Sequence, residues 1–363
     1  MTPPQGPHAT GKAFLNPGAA LQAGIRFTRE GRFAEAIAYL QAARGRVAAG
    51  QEFAADFDLS LCYVGTGKPV KAIPILLALR RKGLSPVNVE NLLAQAYIGA
   101  GQPNKAFEAF RWAVAINPHN EKLYLFVADA CIESRSSPLG LRVVDLGLNV
   151  FPHSARLHYQ RGIFLAQMQH SGLAIRQFHL AARYGSGRMI ACMATAQAAF
   201  MNGNMPAAID ASRQGLRKSP DNYVLLTILG KAILRTGAVP GQPQFTEALQ
   251  AMEKAVAERP DHADSQVTLG NLYLMAGQLD KAIAHLQKAR ALDPQNTSVY
   301  AHLADAYRQR GNLKKARQVL KTLARLNEQQ AAAYRSGPPN QRQGYVSDRA
   351  GRVQPSSGVP HHE

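Results

Sequence analysis

The chain has 363 residues, 46% of them apolar and 18% charged, with 42 Lys and Arg against 24 Asp and Glu, a formal charge of +18. That apolar content excludes a disordered polyelectrolyte, and no run of 18 apolar residues exists to cross a membrane. Three cysteines, Cys62, Cys131 and Cys192, are too few and odd in number for a disulfide framework, so reduced and largely buried thiols are expected. The N-terminus lacks an apolar run of the length a secretory signal needs. The expected location is the cytoplasm, unless a start site further upstream adds an export signal.

Residues 1–16, rich in Pro and Gly, read as a disordered lead. Within them Gly6 to Lys12 fits the spacing of a phosphate-binding loop, but Ala13 stands where Ser or Thr would hold magnesium, and no strand precedes it. The segment is read as a coincidence of composition.

From residue 17 onward a small residue recurs at Ala36, Ala72, Ala106, Gly140, Ala174, Ala208, Ala248, Ala282 and Ala316; six of the eight intervals are 34 residues, one is 36 and one is 40. In eight of these nine units another small residue lies twelve positions earlier: Gly24, Ser60, Ala94, Ala128, Gly162, Ala196, Gly270 and Ala304. Two small residues per unit are what two close-packed antiparallel helices need where their backbones approach. Large side chains follow at helical spacing, among them Tyr97, Phe110, Phe178, Tyr273 and Leu286. Gly31, Gly67, Gly101, Gly203, Gly237, Gly277 and Gly311 fall at the turn inside a unit, where the fourth and fifth units have Arg135 and Gln169. Pro118, Pro152, Pro220, Pro260 and Pro294 close five units. In the seventh unit Gly230 precedes Ala248 by 18 positions, so six residues are inserted near 238–243, lengthening the turn between the helices. The last helix is expected from about Asn312 to about Tyr334, capping the end of the array. Residues 336–363 read as a disordered tail.

These offsets resemble the tetratricopeptide repeat family, whose motif places Trp, Leu, Gly and Tyr on a first helix and Ala, Phe and Ala on a second, followed by Pro; no unit here has that tryptophan. The eighth unit matches best, with Leu269, Gly270, Tyr273, Ala282, Leu286, Ala289 and Pro294. The resemblance implies an all-α solenoid of nine helix-turn-helix repeats over residues 17–335, wound as a superhelix. It also implies a non-enzymatic adaptor or scaffold that holds a peptide or helix of a partner protein on the concave face of the first helices. Carrying that register across gives Phe57, Asn91, Gln95, Asp129, Tyr159, Gln197, Phe200, Lys231, Asn271 and Asp305 as groove residues. Apolar groups there supply burial and the amides bond a peptide backbone without demanding one sequence.

No spacing of nucleophile and base, and no pair of carboxylates, suggests catalysis. No cofactor or metal is expected. His153, His158, His170 and His179 are dense but lack the i, i+4 pairing with a carboxylate that a metal site would show, and His361, His362 and Glu363 sit on a tail without fixed geometry. The flanking segments carry a net charge of +1 each, which leaves +16 on the array, while its inward positions are near +2. Residues 151–220 hold eight bases, Arg156, Arg161, Arg176, Arg183, Arg188, Arg213, Arg217 and Lys218, against Asp210 alone. That basic patch gives a second reading, binding of nucleic acid or another anionic surface through the outer face.

Overall fold

The computed structural model describes residues 16–84 and 86–336. The lead up to residue 15 and the tail beyond 336, with the phosphate-loop-like segment and the terminal histidines, lie outside the described residues. Among the described residues there are eighteen α-helices and no strand. They are α1 (Pro17–Arg29), α2 (Phe33–Ala43), α3 (Glu52–Gly65), α4 (Pro69–Arg81), α5 (Pro86–Gly99), α6 (Pro103–Ile116), α7 (Glu121–Glu133), α8 (Ser137–Val150) and α9 (Ala155–Gln167). There follow α10 (Ser171–Tyr184), α11 (Met189–Met201), α12 (Met205–Lys218), α13 (Tyr223–Arg235), α14 (Pro243–Glu258), α15 (Ala263–Met275), α16 (Leu279–Leu292), α17 (Thr297–Gln309) and α18 (Leu313–Ser336). Odd-numbered helices are the first of each repeat and even-numbered helices the second. The chain falls into two compact units, Met1–Gly215 and Leu216–Glu363.

The small residues do the work their spacing implies. A Cβ added at Gly24 would lie 2.6 Å from Leu40, at Gly162 2.7 Å from Phe178, and at Gly270 2.6 Å from Leu286. In each case the partner is sixteen residues on, on the second helix of the same repeat, and is fully buried. The helices therefore approach closely enough that only a minimal side chain fits on the first.

Each first helix is followed by a residue in the left-handed region, and in eight of the nine repeats the next N–H donates back to the helix as a cap. Gly67 has φ 68° and the Lys68 N–H donates to the Tyr63 carbonyl at 2.8 Å; Gly277 has φ 72° and Gln278 donates to Tyr273 at 2.9 Å. Where glycine is missing the geometry persists. Arg135 (φ 55°) and Gln169 (φ 65°) carry the same conformation, with Ser136 donating to Cys131 at 2.9 Å and His170 to Leu165 at 2.8 Å. The repeat imposes the turn on residues that disfavour it.

Six of the eight junctions between repeats share one interaction played by different residues; the sixth and seventh repeats have Cys192 and Leu226 at the position and lack it. Six positions after a closing proline, a buried polar side chain donates to that proline's carbonyl: Tyr124 to Pro118 (3.0 Å), Gln266 to Pro260 (2.8 Å) and Tyr300 to Pro294 (2.8 Å). The His158 ring reaches the Pro152 carbonyl in the same way at 3.0 Å. The second and third repeats have no preceding proline. There the same position is Asp56, which receives Arg44 at 2.6 Å, and Glu90, buried and gripped through both oxygens by Arg80. A lysine also recurs over a tyrosine eight residues earlier, as with Lys71 over Tyr63, Lys105 over Tyr97, Lys281 over Tyr273 and Lys315 over Tyr307, at 5.1–5.9 Å from the ring centre.

The seventh-repeat insertion is divided between two places. Four of its six residues extend the connection, Thr236 to Gln242, to seven residues in place of the usual three, and two lengthen α14 to 16 residues instead of 14. The connection is ordered: Ala238 is buried, the Val239 N–H donates to the Gln242 side chain at 3.1 Å, and the Gln242 N–H donates to the Val239 carbonyl at 3.2 Å. The last helix, α18, has 24 residues, with Leu326 buried and the Gln330 amide donating to the Gln295 carbonyl at 3.4 Å.

Candidate functional site: the first-helix face

Successive first helices stand side by side. In the first unit α1 touches α3, α3 touches α5, α5 touches α7, α7 touches α9 and α9 touches α11; in the second, α13 touches α15 and α15 touches α17. The seams are stitched by polar contacts. Thr28 Oγ1 lies 3.2 Å from Cys62 Sγ, Asn91 Nδ2 donates to the Leu123 carbonyl at 3.3 Å, and Gln160 Nε2 donates to the Leu125 carbonyl at 3.2 Å and to Asp129 Oδ1 at 2.6 Å. In the second unit Thr227 meets Ser265 at 2.9 Å and Lys231 Nζ donates to Asp264 at 2.6 Å.

These seams sort the residues expected on this face. Asn91 is buried, and besides bonding Leu123 it accepts from Gln95 Nε2 at 2.8 Å, so its amide works between helices. Phe200 is buried at 9% exposure, on the last turn of α11. Both are withdrawn from the accessible surface, because a first helix wedged between two neighbours exposes a narrower stripe than its sequence register suggests. Phe57 is half-buried and stacks on Phe53 at 5.4 Å; Tyr159 is half-buried against Phe178 at 5.4 Å. Gln95 and Gln197 are half-buried and Asp129 is exposed. In the second unit Lys231, Asn271 and Asp305 are half-buried, Lys231 tied to Asp264 and Asp305 to Arg308 at 2.8 Å.

The most prominent apolar group on this face was not among the expected ones. Phe126, on α7, is 52% exposed and lies one turn from Lys122 and Asp129. Its register position holds buried Leu92 one repeat earlier and buried Gln160 one repeat later, so an averaged reading of the repeat passes over it. The seventh position along the third helix, Asp58, is set against Arg29 of the first; burial lifts its carboxyl above the usual carboxylate range, and Arg29 opposes that. In the second unit burial lowers the His302 ring below the usual histidine range, opposed by Asp305.

The eight basic residues are distributed from α9 to α12. Arg161 pairs with Asp145 at 2.7 Å, and Arg188 donates to the Tyr184 carbonyl at 2.7 Å. Arg176 and Arg183 lie exposed on α10, and Arg213, Arg217 and Lys218 lie exposed on α12. Arg156 and Arg188 come together at a cleft of about 540 Å³ where the N-termini of α7, α9 and α11 meet, lined also by Phe151, His153, Met189 and Ile190. The three cysteines are buried and unpaired with one another, and burial pushes the Cys131 thiol up to about 12. No group of three or more His, Cys, Asp or Glu among the described residues is placed to hold a metal ion, and no described helix is long and apolar enough to cross a membrane.

Paired helices in a 34-residue register, stacked through their neighbours alone, define an α-solenoid repeat protein. Sequence profiles described as tetratricopeptide repeat match residues 21–86, 159–223, 242–287 and 274–336. The chain belongs to the tetratricopeptide repeat family. Repeats of this family serve in general as protein-interaction scaffolds rather than catalysts. No curated protein matches the sequence. Among solved structures, a tetratricopeptide repeat protein from Parabacteroides merdae is 19% identical with a TM-score of 0.50, over 71% of this chain and 99% of that one. The Cut9–Hcn1 hetero-tetramer of APC/C is 16% identical with a TM-score of 0.55, over 90% of this chain and 62% of that one. MamA is 20% identical with a TM-score of 0.38, over 47% of this chain and 97% of that one. These likenesses concern the fold.

Proposed function

We propose that the protein is a non-enzymatic adaptor, and that the first-helix face of its first unit holds an extended segment or helix of a partner protein. The observation that carries this is Phe126, half exposed on the middle first helix, with Phe57 and Tyr159 as half-buried aromatics on α3 and α9. The seam contacts already satisfy Asn91 and Gln160 Nε2, so what remains for a ligand is an aromatic and aliphatic stripe edged by Gln95, Asp129 and Gln197. Large aromatics in such positions anchor protein interfaces. The second unit adds Lys231, Asn271 and Asp305 on its own first-helix face, a more polar surface suited to hydrogen bonding.

The test places a photo-cross-linking residue at 126 in cells and identifies the adducts by mass spectrometry. One dominant protein adduct is expected, lost on changing Phe57 and Tyr159 to alanine. Adducts spread evenly over abundant proteins overturn the groove. Binding of a generic oligonucleotide that weakens steeply with salt, together with loss of that binding on changing Arg156, Arg176 and Arg183 to Glu, would transfer the function to the basic side chains.

A further inference from the structure

The repeats themselves provide a control for what the scaffold needs at each position. At one exposed position of the second helix, repeats three to five carry Trp112, Leu146 and Leu180, and one turn later Ile116, Val150 and Tyr184. Elsewhere the first position holds Ala42, Ala78, Gln214, Lys254, Lys288 and Thr322, and the second is charged in four repeats (Arg46, Lys82, Lys218 and Glu258) and leucine in the last two (Leu292 and Leu326). The fold therefore tolerates small and polar groups at both. Yet in three consecutive repeats both are large and apolar, with Trp112 66%, Ile116 50% and Leu146 37% exposed. The helices bearing Trp112 and Leu146, α6 and α8, touch one another. This stripe lies on second helices, off the face assigned to the partner above; Val150 packs against the core and Tyr184 on His153 and His158, but stability of the repeat does not account for the exposed Trp112, Ile116 and Leu146.

Its surroundings choose the occupant. The three helices α6, α8 and α10 hold Lys105, Arg111, Arg142, Arg176 and Arg183 against Glu108 and Asp145, and Asp145 is already paired with Arg161. A second copy would bring the same positive face to itself. The chain's own tail beyond residue 336, with three arginines against Asp348 and Glu363, is repelled likewise. At a spacing of about 8–10 Å between neighbouring helices, a stripe crossing these three second helices would span roughly 20 Å. That is the length of about 14 helical residues. We propose that the outer face of repeats three to five is a second docking site, and that it takes an acidic amphipathic helix of a partner protein, its apolar side on the Trp112–Leu146–Leu180 stripe and its carboxylates toward the flanking arginines.

Trp112 is the only tryptophan of the chain, so its fluorescence reports this site alone. The full chain is titrated with a synthetic helix of about 14 residues, leucine on one side and glutamate on the other. The expected result is a saturable blue shift with reduced acrylamide quenching, weakened by salt. Leu146→Gln together with Leu180→Gln, the residue found at 214, leaves the fold and the reporter in place and reduces affinity about tenfold or more. An unchanged spectrum overturns the proposal. So does an equal shift with the lysine version of the helix, or an unchanged affinity in the double variant whose circular dichroism matches wild type. A shift with phosphatidylserine vesicles but not with the acidic helix assigns the stripe to a lipid surface and overturns it too.

Discussion

The exchange at Gly140 and Phe164 offers a sharp test of the packing described above. Eight of the nine repeats carry alanine where the fourth has Gly140. A Cβ added there would sit 2.2 Å from Cζ and 2.3 Å from Cε1 of Phe164, a ring that is fully buried and has nowhere to go. At the position of Phe164 the other repeats that follow a neighbour carry Cys62, Ala96, Ala130, Ala198, Ala232, Leu272 and Ala306, and the first repeat, which follows none, has Arg26. A large residue on one helix has thus been matched by a smaller one on its neighbour. Gly140→Ala should overpack at the upper end of the usual 1–3 kcal/mol, less about 1 for leaving glycine in a helix, a net loss of about 2. Phe164→Ala should cost about 4 kcal/mol through its cavity. If the two were independent the double variant would lose about 6. Because it recreates the small pair found at 106 and 130, it should lose only about 3, a coupling of about 3 kcal/mol. Urea unfolding followed by far-ultraviolet circular dichroism measures all four proteins, with the slope of the transition checked for constancy. Losses that add to within about 0.5 kcal/mol, or a Gly140→Ala variant as stable as wild type, would refute the reasoning.

Other consequences are as direct. Gln169→Gly and Arg135→Gly should each stabilise by about 0.5–1 kcal/mol, since each relieves a side chain held at positive φ while the capping bond stays; a loss in thermal midpoint would contradict this. His262, His285 and His302 are all lowered by burial, so the unfolded chain takes up protons that the folded one does not. Their contribution is complete above about pH 6.5 and is lost as the pH falls below it. Urea midpoints on the two sides of that value should show the loss, and His262→Asn, the cap used at 222 and 296, should reduce it. Cys131, with its thiol pushed up to about 12, should resist alkylation at neutral pH in the folded chain and react once urea unfolds it; rapid labelling of the folded chain would show that it is not sealed.

The register of small residues placed every helix pair, because a close backbone approach leaves few residue choices and so marks the sequence strongly. The turns were legible for the same reason, down to the two where Arg135 and Gln169 had to be forced into glycine's conformation. The accessible face was less so. Asn91 and Phe126 sit at register positions whose burial changes from one repeat to the next, and that depends on which neighbour crosses the seam. The division of the seventh-repeat insertion between a connection and α14 likewise depends on where Pro243 can start a helix, and an insertion window drawn on spacing alone does not contain that information.

His158 and Gln177 meet at 2.7 Å in the fifth repeat, and Gln266 and His285 meet at 2.8 Å in the eighth, the same two positions with the residues exchanged. Like the Arg80–Glu90 grip that replaces a proline carbonyl, this means that what passes from repeat to repeat is a contact and not a residue. Position-by-position comparison penalises such exchanges twice. Residues 87–158, which fall between the matched segments, hold Glu90, Arg135 and Gly140 together. Scoring pairs of positions across the helix seam would recover the ancestry of repeats that single columns overlook, and would give a designer a set of interchangeable joints rather than a consensus.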